Sequence, residues 1–197
     1  MIAPSCLATR DSRLVPIPLI ALLATLPACH PRSPVDGTPE LSRAKPSVIG
    51  ASQGERRFLR GGTSPILIKV DPVTTGSRRM ILATSDLPPG DTIGLHRHLK
   101  DDEIIFVTRG TARVRLGKKE YTATPGATVF IPEGTCVALA NTSADTFSMV
   151  FVFSSPGFER VLRELSSLPG APPKPFTPEL RAAAFDRGRA EAAPRRC

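Results

Sequence analysis

Tryptophan is absent from this chain of 197 residues, tyrosine occurs once, and there are only three histidines and four cysteines. Few cysteines exclude a small fold stapled by several disulfides. No apolar run reaches the about twenty residues that a membrane-spanning helix needs; the longest, Leu14 to Ala28, is broken by Pro16, Pro18 and Pro27. No glycine-rich phosphate loop is present. Acidic charge is scarce, with 18 Asp and Glu against 26 Lys and Arg, a net charge of +8. That surplus invites a nucleic-acid reading, but its distribution speaks against one. Between Gly62 and Ser155 ten basic residues meet nine acidic ones, and the excess lies in flanks such as "GERRFLR" and "FDRGRAEAAPRRC". A basic fringe on a neutral middle is solvated charge, and no basic helix with interleaved aromatics appears. Nucleic acid is therefore excluded as the main partner.

What the chain has in abundance is punctuation, 21 prolines and 15 glycines. At 41% hydrophobic residues it can fill one core and hardly two. From Pro65 the pattern turns to period two. "ILIKV", "RRMILATS", "TIGLHRH", "EIIFVTRG", "TARVRLG", "EYTAT", "ATVFIPEG", "CVALAN" and "TFSMVFVFS" are short β-branched and aliphatic runs, separated by turns such as "LPPGD", "LKDD" and "NTSAD". Nine strands at this spacing predict an all-β antiparallel sandwich or barrel. Phe147, Met149, Phe151 and Phe153 alternate on one face of the last run and are expected in the core. Helical spacing appears only afterwards, in "PGFERVLRELSSL", where Phe158, Val161, Leu162 and Leu165 form one apolar stripe. A second short helix is expected from Pro178, with Thr177 as its cap.

The N-terminal region reads as an address. Arg10 and Arg13 precede the apolar run, as in an export signal. The run closes on "LPAC", which resembles a bacterial lipoprotein box. That resemblance implies a signal peptide over residues 1–28, a lipidated Cys29, a membrane held through the lipid anchor, and a place in the bacterial cell envelope; the alternative is a plain secretory signal cut nearby, with the barrel periplasmic or extracellular. Residues 29–61, with Pro31, Pro34, Pro39 and Pro46 among serines and charges, are expected to be a flexible tether. The barrel would occupy 62–155, and a C-terminal helix and tail 156–197. An oxidising compartment would permit a bridge between Cys136 and Cys197, although Cys197 ends a tail.

The chemistry concentrates in "GDTIGLHRHLKDDEIIFVTRG", residues 90–110. Residues i and i+2 of a strand face the same way, so His96 and His98 project together with Arg97 opposite. "LKDD" makes a turn and Glu103 opens the returning strand, bringing one carboxylate beside two imidazoles. Three such groups inside an apolar sheet are costly unless partnered, and a divalent metal would use the lone pairs of all three. Asp102 is the neighbouring carboxylate and rival to Glu103, but it sits in the turn whereas Glu103 leads into "IIFV".

This stretch resembles the first motif of the cupin family, G-x5-H-x-H-x4-E-x6-G, on Gly90, His96, His98, Glu103 and Gly110. The second motif, G-x5-P-x-G-x2-H-x3-N, finds Gly126, Pro132, Gly134 and Asn141, with Val137 where a histidine is expected. The resemblance covers about residues 62–155. It implies a jelly-roll β-barrel of six to eight core strands, with a divalent metal (Fe, Mn, Zn, Ni or Cu) on His96, His98 and Glu103 and no fourth ligand from Val137. It also implies a small-molecule ligand or substrate in the barrel, and a homodimer if an edge strand is exposed. Two functional readings stay open: a metal-dependent enzyme of dioxygenase or isomerase type, and a non-catalytic module binding a small ligand or metal. No residue stands out as a general base, and both barrel histidines are taken, which leaves no Ser-His-Asp set.

Overall fold

The computed structural model describes residues 44–192, with side chains to 190. The expected signal peptide, Cys29 and the first part of the tether lie outside the described residues. All nine segments expected as strands form strands: β2 (Ser64–Val70), β3 (Ile81–Leu87), β4 (Thr92–His98), β5 (Glu103–Arg109), β6 (Ala112–Leu116), β7 (Lys119–Ala123), β8 (Thr128–Ile131), β9 (Cys136–Asn141) and β10 (Phe147–Phe153). Two more flank them, β1 (Glu55–Leu59) and β11 (Ala190–Ala192). Neighbours pair antiparallel in two sheets, ordered β1-β2-β3-β10-β5-β8 and β11-β4-β9-β6-β7. The all-β jelly-roll expectation is met.

The core lies between the sheets. Ile66, Ile68, Ala83, Ile105, Met149 and Phe151 come from the six-stranded sheet, and Val114, Val137 and Leu139 face them from the other. The alternation of β10 is complete, with Phe147, Met149, Phe151 and Phe153 all buried. Two helices follow, α1 (Phe158–Leu165) and α2 (Pro178–Arg187). The stripe of Phe158, Val161, Leu162 and Leu165 is buried as its spacing requires. Thr177 caps α2, its hydroxyl accepting from the Leu180 backbone N–H at 3.3 Å. The helices meet at Gly188, where a Cβ would stand 2.1 Å from Val161 Cγ2; only glycine allows so close a crossing.

Two expectations need correction. The tether was expected to reach residue 61, yet Glu55–Leu59 is an edge strand paired along its whole length with β2. The reason is charge pairing. "ERRFL" reads as solvated, but the Arg57 guanidinium is buried and donates to Glu55 Oε1 (2.6 Å), Ser166 Oγ (2.6 Å) and the Arg163 carbonyl (3.0 Å). Arg163 in turn holds Glu55 and Asp71. An arginine with such partners can take an inward position that periodicity reserves for apolar residues. Residues 156–197 were expected as helix and tail, without a strand, yet β11 pairs with the histidine strand β4, Ala190 opposite His98 and Ala192 opposite His96. Three residues carry too little pattern to announce a strand; the open edge of β4 selects it.

Among the described residues, no helix is long and apolar enough to cross a membrane. Cys136 is buried and disulfide-bonded, and every other cysteine lies outside the described residues.

Candidate metal centre and pocket

The strand β4 does not run regularly. Ile93 pairs with Leu139 and His96 with Val137, so β4 carries one residue more than β9 across this interval. The extra residue is a bulge at Gly94–Leu95, and it changes which side chains face inward. Ile93 and His96, an odd number of positions apart, both line the same interior pocket. Without the bulge, a pocket-facing Ile93 would turn His96 to the outer face.

The bulge also fixes the imidazole. Carbonyls that a regular ladder would use are released, and His96 Nδ1 lies 2.9 Å from the Gly94 oxygen. A carbonyl only accepts, so Nδ1 carries the proton and Nε2 keeps a lone pair. Complete burial, together with the neighbouring His98 and Arg181, pushes the His96 pKa down to about 3, against a smaller upward pull from the Gly94 carbonyl. His96 is a neutral imidazole with its lone pair free at any ordinary pH.

His98 lies on the same face, 2% exposed, its ring edge-on to Phe153 (4.6 Å between centroids) and Phe158 (4.7 Å). Neither of its ring nitrogens has a hydrogen-bond partner. Nε2 approaches Glu103 Oε2 to 3.3 Å, but the angles are not those of a hydrogen bond, so the contact is proximity alone. The end of β4 is pinned on both sides: the His98 carbonyl accepts from the Gly134 N–H (2.7 Å), and the Leu99 N–H donates to the Arg189 carbonyl (2.8 Å).

Glu103 opens β5 and is 6% exposed. Its rival Asp102 is exposed in the turn, where its Oδ1 accepts from the Glu133 N–H at 2.9 Å. His96, His98 and Glu103 each offer one ligand atom, and these atoms all lie within 4.8 Å of one another. Three buried donors converging on one point, one of them with both ring nitrogens unpartnered, form a set that suits a divalent cation. Val137 stands opposite His96 in register and is fully buried, an apolar side chain at the second-motif histidine position.

The remaining motif residues do structural work. Gly90, Gly110, Gly126 and Gly134 all have positive φ. Asn141 ties its own turn together, donating to the Leu87 and Asp145 carbonyls (2.9 and 2.8 Å) and accepting from the Ser143 N–H.

His96 and Glu103 of the cluster line a pocket of about 700 Å³, part of it open to solvent, and His98 is not in its lining. Both sheets line it, and α1, Phe176 and α2 supply the rest of the wall. Reading the sequence alone missed the C-terminal contribution. Phe185 packs edge-on to His96 at 5.5 Å, and Arg60 and Arg181 reach the lining from segments that had been read as tether and tail.

The chain thus sets a His-His-Glu cluster inside an antiparallel double-sheet barrel. Residues 83–153 match the family model for the cupin domain. Solved structures similar to the chain include KdgF from Halomonas sp. (14% identity, TM-score 0.49, 57% of this chain and 96% of that one). A predicted oxalate decarboxylase from Thermotoga maritima is similar at 19% identity and TM-score 0.49, over 56% of this chain and all of that one. A sugar phosphate isomerase of the cupin superfamily from Silicibacter pomeroyi is also similar, at 19% identity and TM-score 0.49, over 56% of this chain and 77% of that one. No curated protein matches the chain.

Proposed function

We propose that this cupin domain holds a divalent metal on His96 Nε2, His98 and Glu103, and acts on a small organic molecule lodged in the adjoining pocket, as a metal-dependent enzyme of dioxygenase or isomerase type. The observation that carries this reading is the convergence of three buried ligand atoms within 4.8 Å, two of them on residues that line a largely apolar pocket. When bound, such an ion supplies Lewis acidity and open coordination positions. The protein's own residues do the rest. The Gly94 carbonyl holds the His96 tautomer, Phe153 and Phe158 fix the His98 ring, and Phe158, Leu162 and Phe185 keep bulk water from the cluster.

A second reading has its own support. Val137 removes one imidazole and adds apolar lining next to His96, which favours a module that binds without turnover. The two separate on purified full-length chain. Elemental analysis should find near-stoichiometric metal that His96→Ala abolishes, and oxygen uptake with iron(II) and phenolic or thiol substrates should report turnover. Metal without turnover on any substrate supports the binding module; an absence of metal in the unaltered protein refutes both metal readings.

The reading includes export and lipid anchoring through Cys29, which would put the barrel at the bacterial cell envelope. "LPAC" after an apolar run supports it. Incorporation of labelled fatty acid, lost in Cys29→Ala, is the test. Pairing into a homodimer is supported by the exposed Ile104, Phe106 and Phe130 beside the edge strand β8.

A further inference from the structure

The pocket holds more positive charge than the cluster needs. Arg181, in the first turn of α2, reaches over the β4 bulge, and its Nη2 donates to the Gly94 and Leu95 carbonyls at 2.8 and 3.3 Å. Its guanidinium lies over the Phe185 ring, 4.9 Å from the centroid. Gly94 makes room for it, since a Cβ there would meet Arg181 Nη1 at 3.2 Å. These contacts use one nitrogen. Among the described residues no carboxylate pairs with Arg181, and the charge that acts on it is a second cation, Arg60, which with burial lowers its pKa.

Arg60 comes from the other side of the chain. It lines the same pocket, lies over Phe176 at 5.2 Å, and has the left-handed φ of 53° that non-glycine residues rarely adopt. Asp91 neutralises it at 2.9 Å and is itself held by the Ser64 hydroxyl at 2.6 Å. Two guanidiniums with one carboxylate between them therefore face a pocket whose other lining is mainly Ile, Leu, Met and Phe. For docking α2, a neutral donor would serve as well and would spare the repulsion from Arg60. An unpaired guanidinium at the edge of an apolar pocket suits an anion.

We propose that this pocket takes a small carboxylate with an apolar body, its carboxyl group on Arg181 with Arg60 as the second cation, and its apolar end among Leu139, Phe151 and Leu162. This names the ligand class for the pocket of the proposed function and rests on that pocket reading, but not on the metal. A carboxylate fits better than a phosphorylated sugar, because Ser85 is the only neutral hydroxyl in the described lining and a polyol would leave its own hydroxyls unpaired. Glu103 is the one carboxylate in the lining, and it belongs to the histidine cluster.

The test is calorimetric titration of the full chain, first treated with chelator and then loaded with manganese(II). The probes are benzoate and hexanoate, with benzamide, hexanamide and glucose 6-phosphate as comparisons. On metal-free protein the acids should bind at least about tenfold more tightly than their amides. Arg181→Gln should lose that preference and Arg181→Lys should keep part of it, with the circular dichroism of both unchanged. The acid-to-amide ratio needs no variant, so a misfolded Arg181→Gln would not decide the matter. Equal binding of acid and amide overturns the inference, and so does tighter binding of glucose 6-phosphate. Failure of acids and amides alike overturns the pocket reading itself, whereas loss of metal alone is seen by elemental analysis and leaves this inference standing.

Discussion

Replacing His98 by leucine should leave the metal-free protein almost as stable as before and remove its whole response to metal. A residue 2% exposed in the core would ordinarily cost about 2–5 kcal/mol when altered. His98 differs because both ring nitrogens are buried without partners, each unmet group standing for about 1–3 kcal/mol that leucine would not forfeit. Against that gain stand the edge contacts with Phe153 and Phe158, about 0.5–1.5 kcal/mol each. The two unmet nitrogens together, about 2–6 kcal/mol, outweigh or nearly match the two ring contacts together, about 1–3 kcal/mol, so the variant should lose no more than about 1 kcal/mol. Metal at a hundred times its dissociation constant should add about 2.7 kcal/mol to the unaltered protein, which for a domain of this size raises Tm by about 5–10 °C. The leucine variant should show none of that rise. Differential scanning calorimetry with chelator and with excess manganese(II) or zinc reads both quantities. A histidine kept only for packing predicts the reverse, a variant much less stable without metal and no metal effect in either protein; that result would refute the assignment.

Acid should destabilise the metal-free protein through His96. Its folded pKa of about 3 lies below the ordinary histidine value, so the unfolded chain takes up a proton the folded chain refuses, and stability present above about pH 6.5 is lost as pH falls toward 3. Urea unfolding between pH 7 and 4 should show the decline, and His96→Leu should flatten it. Val137→His should cost about 1–3 kcal/mol by overpacking in metal-free protein yet tighten metal by at least about tenfold, because even an outer partner of a ligand is worth about 10–100-fold; unchanged affinity in a competition titration would count against its position beside His96. Gly188→Ala should cost about 1–3 kcal/mol from the 2.1 Å approach to Val161 Cγ2, and adding Val161→Ala should cost less than the two separate losses combined, as a double-mutant cycle in urea would show.

The sheets were legible because their signal is local. Alternation in β10 and the turn chemistry around each strand state the element within a few residues, and Phe147 to Phe153 follow that statement to the letter. The grouping of His96, His98 and Glu103 was legible for the same reason, since a hairpin places i, i+2 and the start of the next strand together. What could not be read depends on partners far along the chain. Arg57 looks solvated until Ser166 and the Arg163 carbonyl, over a hundred residues away, are beside it. Arg181 looks like one more basic residue of the tail until α2 lays it over Gly94. The same holds for β11, which is a strand only because β4 has a free edge.

The bulge at Gly94–Leu95 ties these two kinds of information into one device. A hairpin alone would align the histidines with each other but not with the apolar residues that wall the pocket, because strand parity separates Ile93 from His96. One inserted residue brings both inward, and the carbonyls it frees need donors. The Gly94 oxygen takes one from His96 Nδ1 and one from Arg181, so a single backbone group sets the tautomer of a cluster imidazole and the position of the pocket's unpaired cation. The two proposed sites are therefore coupled through geometry. If α2 moves, the Gly94 carbonyl loses one donor and Phe185 leaves the His96 ring, and the ligand pocket and the metal cluster should loosen together. Arg181→Ala should then weaken metal affinity as well as carboxylate binding, although Arg181 offers no lone pair to an ion. Unaltered metal affinity in that variant, with α2 intact by circular dichroism, would mean that His96 is held by its strand alone.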